Sequence, residues 1–264
     1  MTTRFQNAGI LLREGEDPLL ANNVLKLLAT VHIDSHTLSW NAPPPADLDL
    51  VIAMGGDGTV LKSLEMCPTC PVLAINFGTV GFLTAGDQSD VGPVLARLVA
   101  GDYLVSERLT LECRYPGGQV RAVNEVMVRS GNRLVFTDVY VDDTKIRTIA
   151  ADGVVVGTPT GSTGFLLSTG APIVMPDVRC FILDGINEYN FTSRAVVIPP
   201  ESKIRLRISP QTREPDVHIT SDGRRLAKLS PGDDVHISQA ATTAKLIYFE
   251  PDYFFRNLTS KLQW

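Results

Sequence analysis

The sequence lacks any hydrophobic run long enough to cross a membrane. A spanning helix needs about 18 consecutive apolar residues, whereas the apolar stretches here, such as residues 48–54, end after a few positions. The early run at residues 9–12 stops at Arg13 and Glu14, so it has neither the apolar core nor the cleavage site of a signal peptide. We therefore expect a cytoplasmic protein with no membrane partner.

The sequence also lacks the excess of basic residues that nucleic-acid-binding domains carry. It has 24 Lys and Arg against 29 Asp and Glu, which gives a formal net charge of -5. Phosphate backbones are bound through clustered positive charge, so we expect no nucleic-acid partner. With 44% hydrophobic and 20% charged residues in 264, the chain has the composition of a globular protein with a sizeable core.

Cysteine is scarce and scattered. The chain has four, Cys67, Cys70, Cys113 and Cys180, which is too few for a disulfide framework. The spacing of Cys67 and Cys70 also occurs in redox and zinc sites, but no second pair completes a zinc site, and a predicted strand follows where a redox motif needs a helix. His32 and His36 have no obvious third ligand. We favour structural roles for these residues and predict no metal held by the protein.

Strands and helices alternate through the first hundred residues. The continuous apolar runs typical of buried strands fall at residues 8–12, 48–54 and 72–76. The three- and four-residue apolar spacing typical of helices follows Pro18 and recurs at residues 59–66 and 91–99. Strands that alternate with helices form a mainly parallel sheet covered by helices. The pattern predicts an α/β domain over residues 1–105.

From about Tyr103 onward the pattern changes to short alternating or β-branched runs. Turn sequences such as those at residues 116–118 and 221–223 separate them. Many short strands at this spacing predict a β-sandwich, which we assign to residues 106–249. The last dozen residues have a helical, aromatic-rich pattern, and we expect residues 250–264 to pack back on the first domain.

A glycine-rich loop, Gly55-Gly56-Asp57-Gly58-Thr59, follows a predicted strand and opens a helix. Ligands bind α/β sheets at such strand ends, and glycines let backbone N–H groups approach phosphates closely. The loop is neither a Walker motif nor a dinucleotide fingerprint. Its carboxylate would repel phosphate unless Asp57 holds Mg²⁺ or takes a proton from an attacking hydroxyl. A tight turn that only needs glycines is the alternative.

Asn124 and Glu125 interrupt the apolar, strand-like run at residues 122–128. Two adjacent polar side chains are costly to bury without partners. They either bind the hydroxyl or amide groups of a ligand or lie at an exposed strand edge.

A hydroxyl-rich loop occupies residues 158–164, between a predicted strand and a predicted helix at residues 165–169. Thr160, Ser162 and Thr163 are suited to hydrogen bonds with phosphate or sugar. A hydroxyl-bearing helix cap, which is the alternative, would account for one hydroxyl but not for four.

Together these motifs resemble those of the NAD kinase family in order and spacing. They lie at residues 55–59, 76–84, 124–125, 152–153, 158–163 and 257–264, so the resemblance covers nearly the whole chain from residue 50. It implies a Rossmann-like three-layer α/β domain followed by an all-β sandwich, with the active site between them and the C-terminal segment returning to the first domain.

The resemblance implies ATP-dependent phosphorylation of the adenosine ribose 2′-hydroxyl of NAD, which gives NADP. By correspondence, Asp57 acts as the general base, and Asn124 with Glu125 holds NAD. The other implied substrate- or nucleotide-binding positions are Gly55, Gly56, Gly58, Thr59, Lys62, Phe82, Asp152, Thr160, Thr163, Gly164, Phe165, Ser168 and Arg224. The implied cofactor is Mg²⁺ or another divalent cation with ATP, and the implied assembly is a homodimer or homotetramer.

The sequence departs from the family pattern at several positions. Phe165 stands where the family has tyrosine, so the ring is kept and the hydroxyl is lost. Thr79 replaces an arginine and Ala150 a basic residue. Residues 183–194 replace a segment that contains proline and histidine, and the sequence assigns them no role. These departures leave substrate identity and subunit contacts open.

Two other functions remain open from the sequence alone. Kinases of other nucleosides, and lipid kinases with a related glycine-rich loop, share the phosphoryl-transfer chemistry. A homologue that binds NAD or NADP without turnover would act as a sensor, although the retained Asp57 argues against it. Asn124, Glu125 and the hydroxyl-rich loop favour a dinucleotide as the acceptor.

Overall fold

The computed structural model describes residues 5–77, 81–190 and 193–262. The chain divides into two compact units. The first unit combines the chain up to Glu107 with the chain from Thr243 onward, and the second unit covers Arg108–Thr242.

A mainly parallel seven-stranded sheet forms the first unit. Its strands are β1 (Asn7–Leu12), β2 (Asp34–Thr37), β3 (Leu50–Met54), β4 (Pro71–Asn76), β5 (Gly86–Asp87), β6 (Leu104–Arg108) and β19 (Ala244–Tyr248). Their order is β2-β1-β3-β4-β19-β6, with β5 paired to β4 beside this row. The pairs from β2 through β19, and β4 with β5, are parallel.

Helices cover both faces of this sheet. They are α1 (Leu19–Thr30), α2 (Asp57–Met66) and α3 (Val91–Ala100), and α5 (Tyr253–Leu262) ends the described chain. The apolar faces of α1 and α3 share one core cluster with alternate residues of β1, β3 and β4. Val60 and Leu64 of α2 are fully buried but belong to no part of that cluster. Successive strand residues point to opposite faces of the sheet, so α2 packs on the face opposite to α1 and α3. The unit therefore has three layers.

Strand β19 belongs to the first unit. Lys245, Leu246 and Ile247 pair in parallel with the first residues of β4. This pairing differs from the prediction that residues 244–249 belong to the sandwich, because the alternating pattern of a strand does not reveal which sheet it joins.

Two antiparallel six-stranded sheets form the second unit. The first contains β7 (Leu111–Tyr115), β8 (Gly118–Ala122), β10 (Val135–Val141), β11 (Thr144–Ala151), β15 (Ile204–Ile208) and β18 (Asp234–Gln239). The second contains β9 (Glu125–Arg129), β12 (Gly153–Gly157), β13 (Phe181–Ile186), β14 (Val196–Ile198), β16 (Val217–Ser221) and β17 (Arg224–Leu229). The strand orders are β11-β10-β15-β18-β7-β8 and β14-β13-β12-β9-β16-β17.

One hydrophobic core joins the two sheets of the second unit. It contains inward-facing residues of both, including Leu111 and Leu206 of one sheet and Val126, Val156 and Phe181 of the other. A short 3-10 turn (Thr160–Thr163) and helix α4 (Phe165–Thr169) follow β12. The prediction of an α/β part followed by a β-sandwich, with the C-terminal segment in the first unit, is confirmed.

Candidate active site

Asp57 is the first residue of α2 and joins two loops of the first unit. Its Oδ2 accepts a hydrogen bond from the backbone N–H of Phe82 at 3.0 Å, and its Oδ1 accepts one from that of Leu83 at 2.9 Å. Burial raises the pKa of Asp57, while these two hydrogen bonds and the positive charge of Lys261 oppose the rise. The carboxylate is therefore fixed in position and is more basic than an exposed aspartate.

The loop that donates to Asp57 is held from its other side by the C-terminal segment. Asn257 Nδ2 donates to the carbonyl oxygen of Phe82 at 2.7 Å, and the Tyr248 hydroxyl donates to that of Leu83 at 3.2 Å. The Phe82 ring packs edge-on against Phe254 of α5. From the sequence, this segment is only similar to the C-terminal end of the NAD kinase family and rich in aromatic residues. Asn257 could have been found only from its position in the fold.

The glycines around Asp57 have different structural roles. A Cβ added to Gly55 would lie 2.3 Å from Thr59 Oγ1, so this position is closed by the buried threonine. A Cβ added to Gly58 would meet no protein atom within 4 Å in the described structure. Gly56 precedes α2 with extended backbone. The loop is therefore tightly packed at Gly55, whereas its backbone is exposed and open at Gly58.

Three other predicted residues of this unit are Lys62 and Thr59 of α2 and Phe82 of the loop that binds Asp57. Lys62 Nζ forms an ion pair with Glu65 at 3.3 Å, one turn along the helix. Thr59 is buried, and Phe82 is only 7% exposed, so its ring is mostly a packing element. Thr79 lies outside the described residues.

In the second unit, Asp222 organises the backbone around Asn124 and Glu125. Its carboxylate accepts hydrogen bonds from the N–H groups of Val123 (2.8 Å), Asn124 (2.8 Å) and Glu125 (3.2 Å). The sequence predicts that Asn124 lies inside a strand, and this prediction is wrong. The chain bends at residues 123–124, and β9 begins at Glu125, because the backbone N–H groups turn toward a carboxylate instead of a neighbouring strand.

Glu125 is a buried acid beside a second acid. Burial, together with the nearby Asp222 carboxylate, raises the pKa of Glu125 to about 8, although the backbone N–H of Phe165 donates to it. Burial also raises the pKa of Asp222, against its three N–H donors. Near neutral pH Glu125 is therefore largely protonated and can donate as well as accept a hydrogen bond.

Two polar atoms of this pair remain unsatisfied. Within the described residues, neither Asn124 Oδ1 nor Glu125 Oε2 has a hydrogen-bond partner, although both atoms are buried. Buried polar atoms without partners are rare because they lose the free energy of hydration. The alternative of an exposed strand edge is excluded for Glu125, which is 4% exposed. Both atoms are suited to contact a polar ligand.

The hydroxyl-rich loop is held mainly by bonds within the unit. Thr158 donates to the carbonyl of Val123 at 2.6 Å, and Ser162 donates to that of Pro159 at 2.7 Å and accepts from the N–H of Val174 at 3.0 Å. The Ser162 hydroxyl, which the sequence suggests for phosphate or sugar, is therefore used within the unit. The side chains of Thr158 and Ser162 fold the loop.

Thr160 and Thr163 differ from these two. Thr160 is 4% exposed and accepts a hydrogen bond from Arg108 at 3.4 Å. Thr163 is half-buried and donates to the carbonyl of Thr160 at 3.2 Å, which leaves its oxygen free to accept. Gly161 lies so close to the strand bend that an added Cβ would be 2.3 Å from the carbonyl oxygen of Asn124. The loop and the Asn124–Glu125 pair thus form one cluster.

A cavity of about 590 Å³ opens beside this cluster. Its lining includes Phe165, Ser168, Arg129, Asp184, Glu188 and Arg194. The Arg129 guanidinium lies over the Phe165 ring, 5.3 Å from its centre. Most of the lining comes from β13 and the residues after it, so the segment that the sequence left without a role borders the same cavity as two predicted ligand-binding residues.

The remaining predicted residues lie near this region or at the surface. Asp152 Oδ2 accepts a hydrogen bond from Asn187 Nδ2 at 2.9 Å. Gly164 is exposed next to the Asn124 side chain. Arg224 is exposed and acts electrostatically on Asp222.

No metal centre or membrane helix is present in the part of the chain that the structure describes. No three His, Cys, Asp or Glu side chains gather there as metal ligands would. No helix of residues 5–77, 81–190 and 193–262 is long and apolar enough to span a membrane. All four cysteines are buried free thiols.

Both units match known kinase domains. Residues 29–103 match the ATP-NAD kinase N-terminal domain, and residues 123–249 match the ATP-NAD kinase C-terminal domain. An NAD kinase of Caldanaerobacter subterraneus subsp. tengcongensis is 36% identical over 223 residues, which cover 81% of this chain and 78% of that protein. An NAD kinase of Geotalea daltonii is 32% identical over 263 residues, which cover 96% and 90%.

Solved structures show the same fold. Yeast NADH kinase complexed with NADH superposes with a TM-score of 0.87 at 23% identity, over 98% of this chain and 88% of that chain. An NAD kinase from Archaeoglobus fulgidus in complex with ATP superposes with a TM-score of 0.83 at 25% identity, over 98% and 99%. The family models and the curated relatives thus define an ATP-dependent phosphotransferase. The chain belongs to the NAD kinase family.

The buried Glu125 carboxyl predicts a specific pH dependence of stability. In the unfolded chain glutamate titrates near pH 4.3, whereas its pKa in the folded protein is about 8. Between these values the folded state keeps a proton that the unfolded state has lost, so the free energy of unfolding falls as pH rises through this window. We expect Glu125→Gln to reduce this fall by about 2 kcal/mol or more between pH 5 and pH 8.5, measured by urea unfolding.

Glu201→Gln is the matched control, because Glu201 is exposed in the same unit. It should leave the pH dependence unchanged. An unaltered slope in Glu125→Gln would show that Glu125 does not carry the proton.

Proposed function

We propose that this protein transfers the γ-phosphoryl group of ATP to the adenosine ribose 2′-hydroxyl of NAD and releases NADP and ADP. The observation that carries the proposal is the Asp57 carboxylate, fixed at the start of α2 inside a glycine loop of a chain that belongs to this family. Nothing in the fold or its relatives favours a lipid acceptor, another nucleoside or a silent sensor.

Asp57 has the properties of a general base for the acceptor hydroxyl. Each carboxylate oxygen uses one lone pair for a backbone N–H and keeps another for a ligand. A raised pKa brings a carboxylate closer to the operating pH, which is favourable for a base. Phosphoryl transfer needs mainly positioning and charge neutralisation, and the open backbone surface at Gly58 is suited to a phosphate chain.

The second unit supplies the dinucleotide-binding groups in this proposal. Asn124 Oδ1 and Glu125 Oε2, buried and unsatisfied, would accept from or donate to the acceptor's polar groups. Phe165 offers a ring face for stacking and lines the cavity together with Ser168. Thr163 and Asp152 complete the set of polar positions that the resemblance implies.

In this proposal Mg²⁺ is bound by ATP, the phosphoryl donor, and not by a site that the protein alone forms. The described residues form no cluster of three or more ligand side chains, and Mg²⁺ is usually held through substrate phosphates with one or two carboxylates. The phosphates of the nucleotide would therefore carry the cation as part of the substrate. The proposal also includes a cytoplasmic location, which agrees with the free thiols. It further includes assembly into a homodimer or homotetramer.

Removal of the proposed base tests the assignment. Asp57→Asn keeps an oxygen and the side-chain shape but cannot take a proton, so we expect kcat to fall about 10²- to 10⁴-fold. NAD binding, measured by calorimetry, should change little because the proposed dinucleotide contacts belong to other residues. Asp47→Asn, at an exposed position of the same unit, is the control. Normal turnover by Asp57→Asn would remove the base from the mechanism.

Substitutions at two of the loop's three glycines, Gly55 and Gly58, should separate effects on stability from effects on activity. Gly55→Ala places a Cβ against Thr59, and we expect it to lower the free energy of unfolding by about 1–3 kcal/mol. The Cβ of Gly58→Ala meets no atom of the described residues within 4 Å, so the free energy of unfolding should be unchanged within about 1 kcal/mol. If phosphate approaches this backbone, Gly58→Ala should raise the KM for ATP about tenfold or more. An unchanged KM would place the phosphates elsewhere.

A further inference from the structure

A second cavity, of about 250 Å³, lies next to the loop that donates to Asp57. It is lined by residues 84–87, residues 248–250 and one face of α5. From α5 it receives Tyr253, Arg256, Asn257, Ser260 and Lys261. All of these residues belong to the first unit. The cavity therefore lies between the C-terminal helix and the residues that directly follow the Asp57-binding loop.

Three of the four charged groups that line this cavity already have partners. Glu250 pairs with Arg97 at 2.8 Å, and Arg256 pairs with Asp252 at 2.9 Å. Asp87 accepts a hydrogen bond from the Asn76 side chain at 3.1 Å and caps the following turn.

Lys261 is the fourth charged group, and no carboxylate among the described residues forms an ion pair with it. Its side chain is half-buried. A half-buried cation without an ion-pair partner among the described residues favours the binding of an anion.

Lys261 is placed relative to Asp57 through Asn257. Asn257 and Lys261 are four positions apart on α5 and so share one face of the helix. Asn257 holds the carbonyl of Phe82, whose N–H binds Asp57. Lys261 is near enough for its charge to lower the pKa of Asp57. One helix face thus fixes the base and brings a positive charge to it.

We propose that Lys261 is a phosphate-contacting catalytic residue, whose Nζ neutralises the phosphoryl group while it is transferred. The inference rests on the proposed function. In the step, the ribose 2′-oxygen bonds to the γ-phosphorus while the bond from that phosphorus to the bridging oxygen breaks. Asp57 takes the hydroxyl proton, ADP leaves with the bridging electron pair, and Lys261 forms no covalent bond. Its ammonium group stabilises charge on the phosphoryl oxygens.

Substitution of Lys261 in the full chain tests this role. We expect Lys261→Gln to lower kcat/KM for ATP about 100-fold, with a smaller change in the KM for NAD. Lys261→Arg keeps the charge and should recover most of the activity. Loss of the cation should also move the acidic limb of the pH–rate profile to higher pH, since Lys261 lowers the pKa of Asp57. Arg256→Gln, on the same helix and already paired with Asp252, is the matched control.

The outcomes separate this role from a structural one and from failure of the proposed function. Activity of Lys261→Gln within twofold of the original protein overturns the inference, as does equal impairment of Lys261→Gln and Lys261→Arg with an unmoved pH profile. If thermal unfolding shows that Lys261→Gln is unstable, Lys261→Met, which keeps the apolar stem, is measured in its place. Asp57→Asn is assayed in parallel, so that loss of the base and loss of the phosphate contact are read independently.

Discussion

The proposed transfer site depends on one carboxylate that binds two backbone N–H groups. Asp57 begins α2, and its contacts with Phe82 and Leu83 fix the glycine loop and the following loop in one arrangement. Loss of the acceptor would leave two N–H groups without partners, at about 1–3 kcal/mol for each one that stays buried. The bond from Asn257 to the carbonyl of Phe82 extends this arrangement to the C-terminal helix. The base and its surroundings are therefore positioned by the same few contacts.

The second unit uses the same physical device. Asp222 accepts three consecutive N–H groups and so bends the chain at Asn124 and Glu125. The cost is a buried acidic pair, which appears as the raised pKa of Glu125. In both units an aspartate followed by glycine organises the backbone, and in the second unit this arrangement leaves buried polar atoms of Asn124 and Glu125 without hydrogen-bond partners among the described residues.

The sequence was sufficient for the fold class and for the motifs, because periodicity and turn chemistry are local properties. It was insufficient where the answer depends on which elements meet. The sheet that β19 joins, the role of Asp222 beneath Asn124, and the bond from Asn257 to the Phe82 carbonyl all depend on contacts between distant positions. The use of the Ser162 hydroxyl within its own loop escaped prediction for the same reason, since its partners are backbone atoms that no motif reveals.

The most direct test of this account is an assay of NADP formation. Purified protein is incubated with ATP, Mg²⁺ and NAD, the product is read by an NADP-specific dehydrogenase, and NADH is supplied as a parallel acceptor. If the proposed activity is right, NADP forms and its formation depends on ATP. Binding of NAD without any NADP or NADPH formed would contradict the proposed activity, and the residues described in the two units would then serve a different acceptor or binding alone.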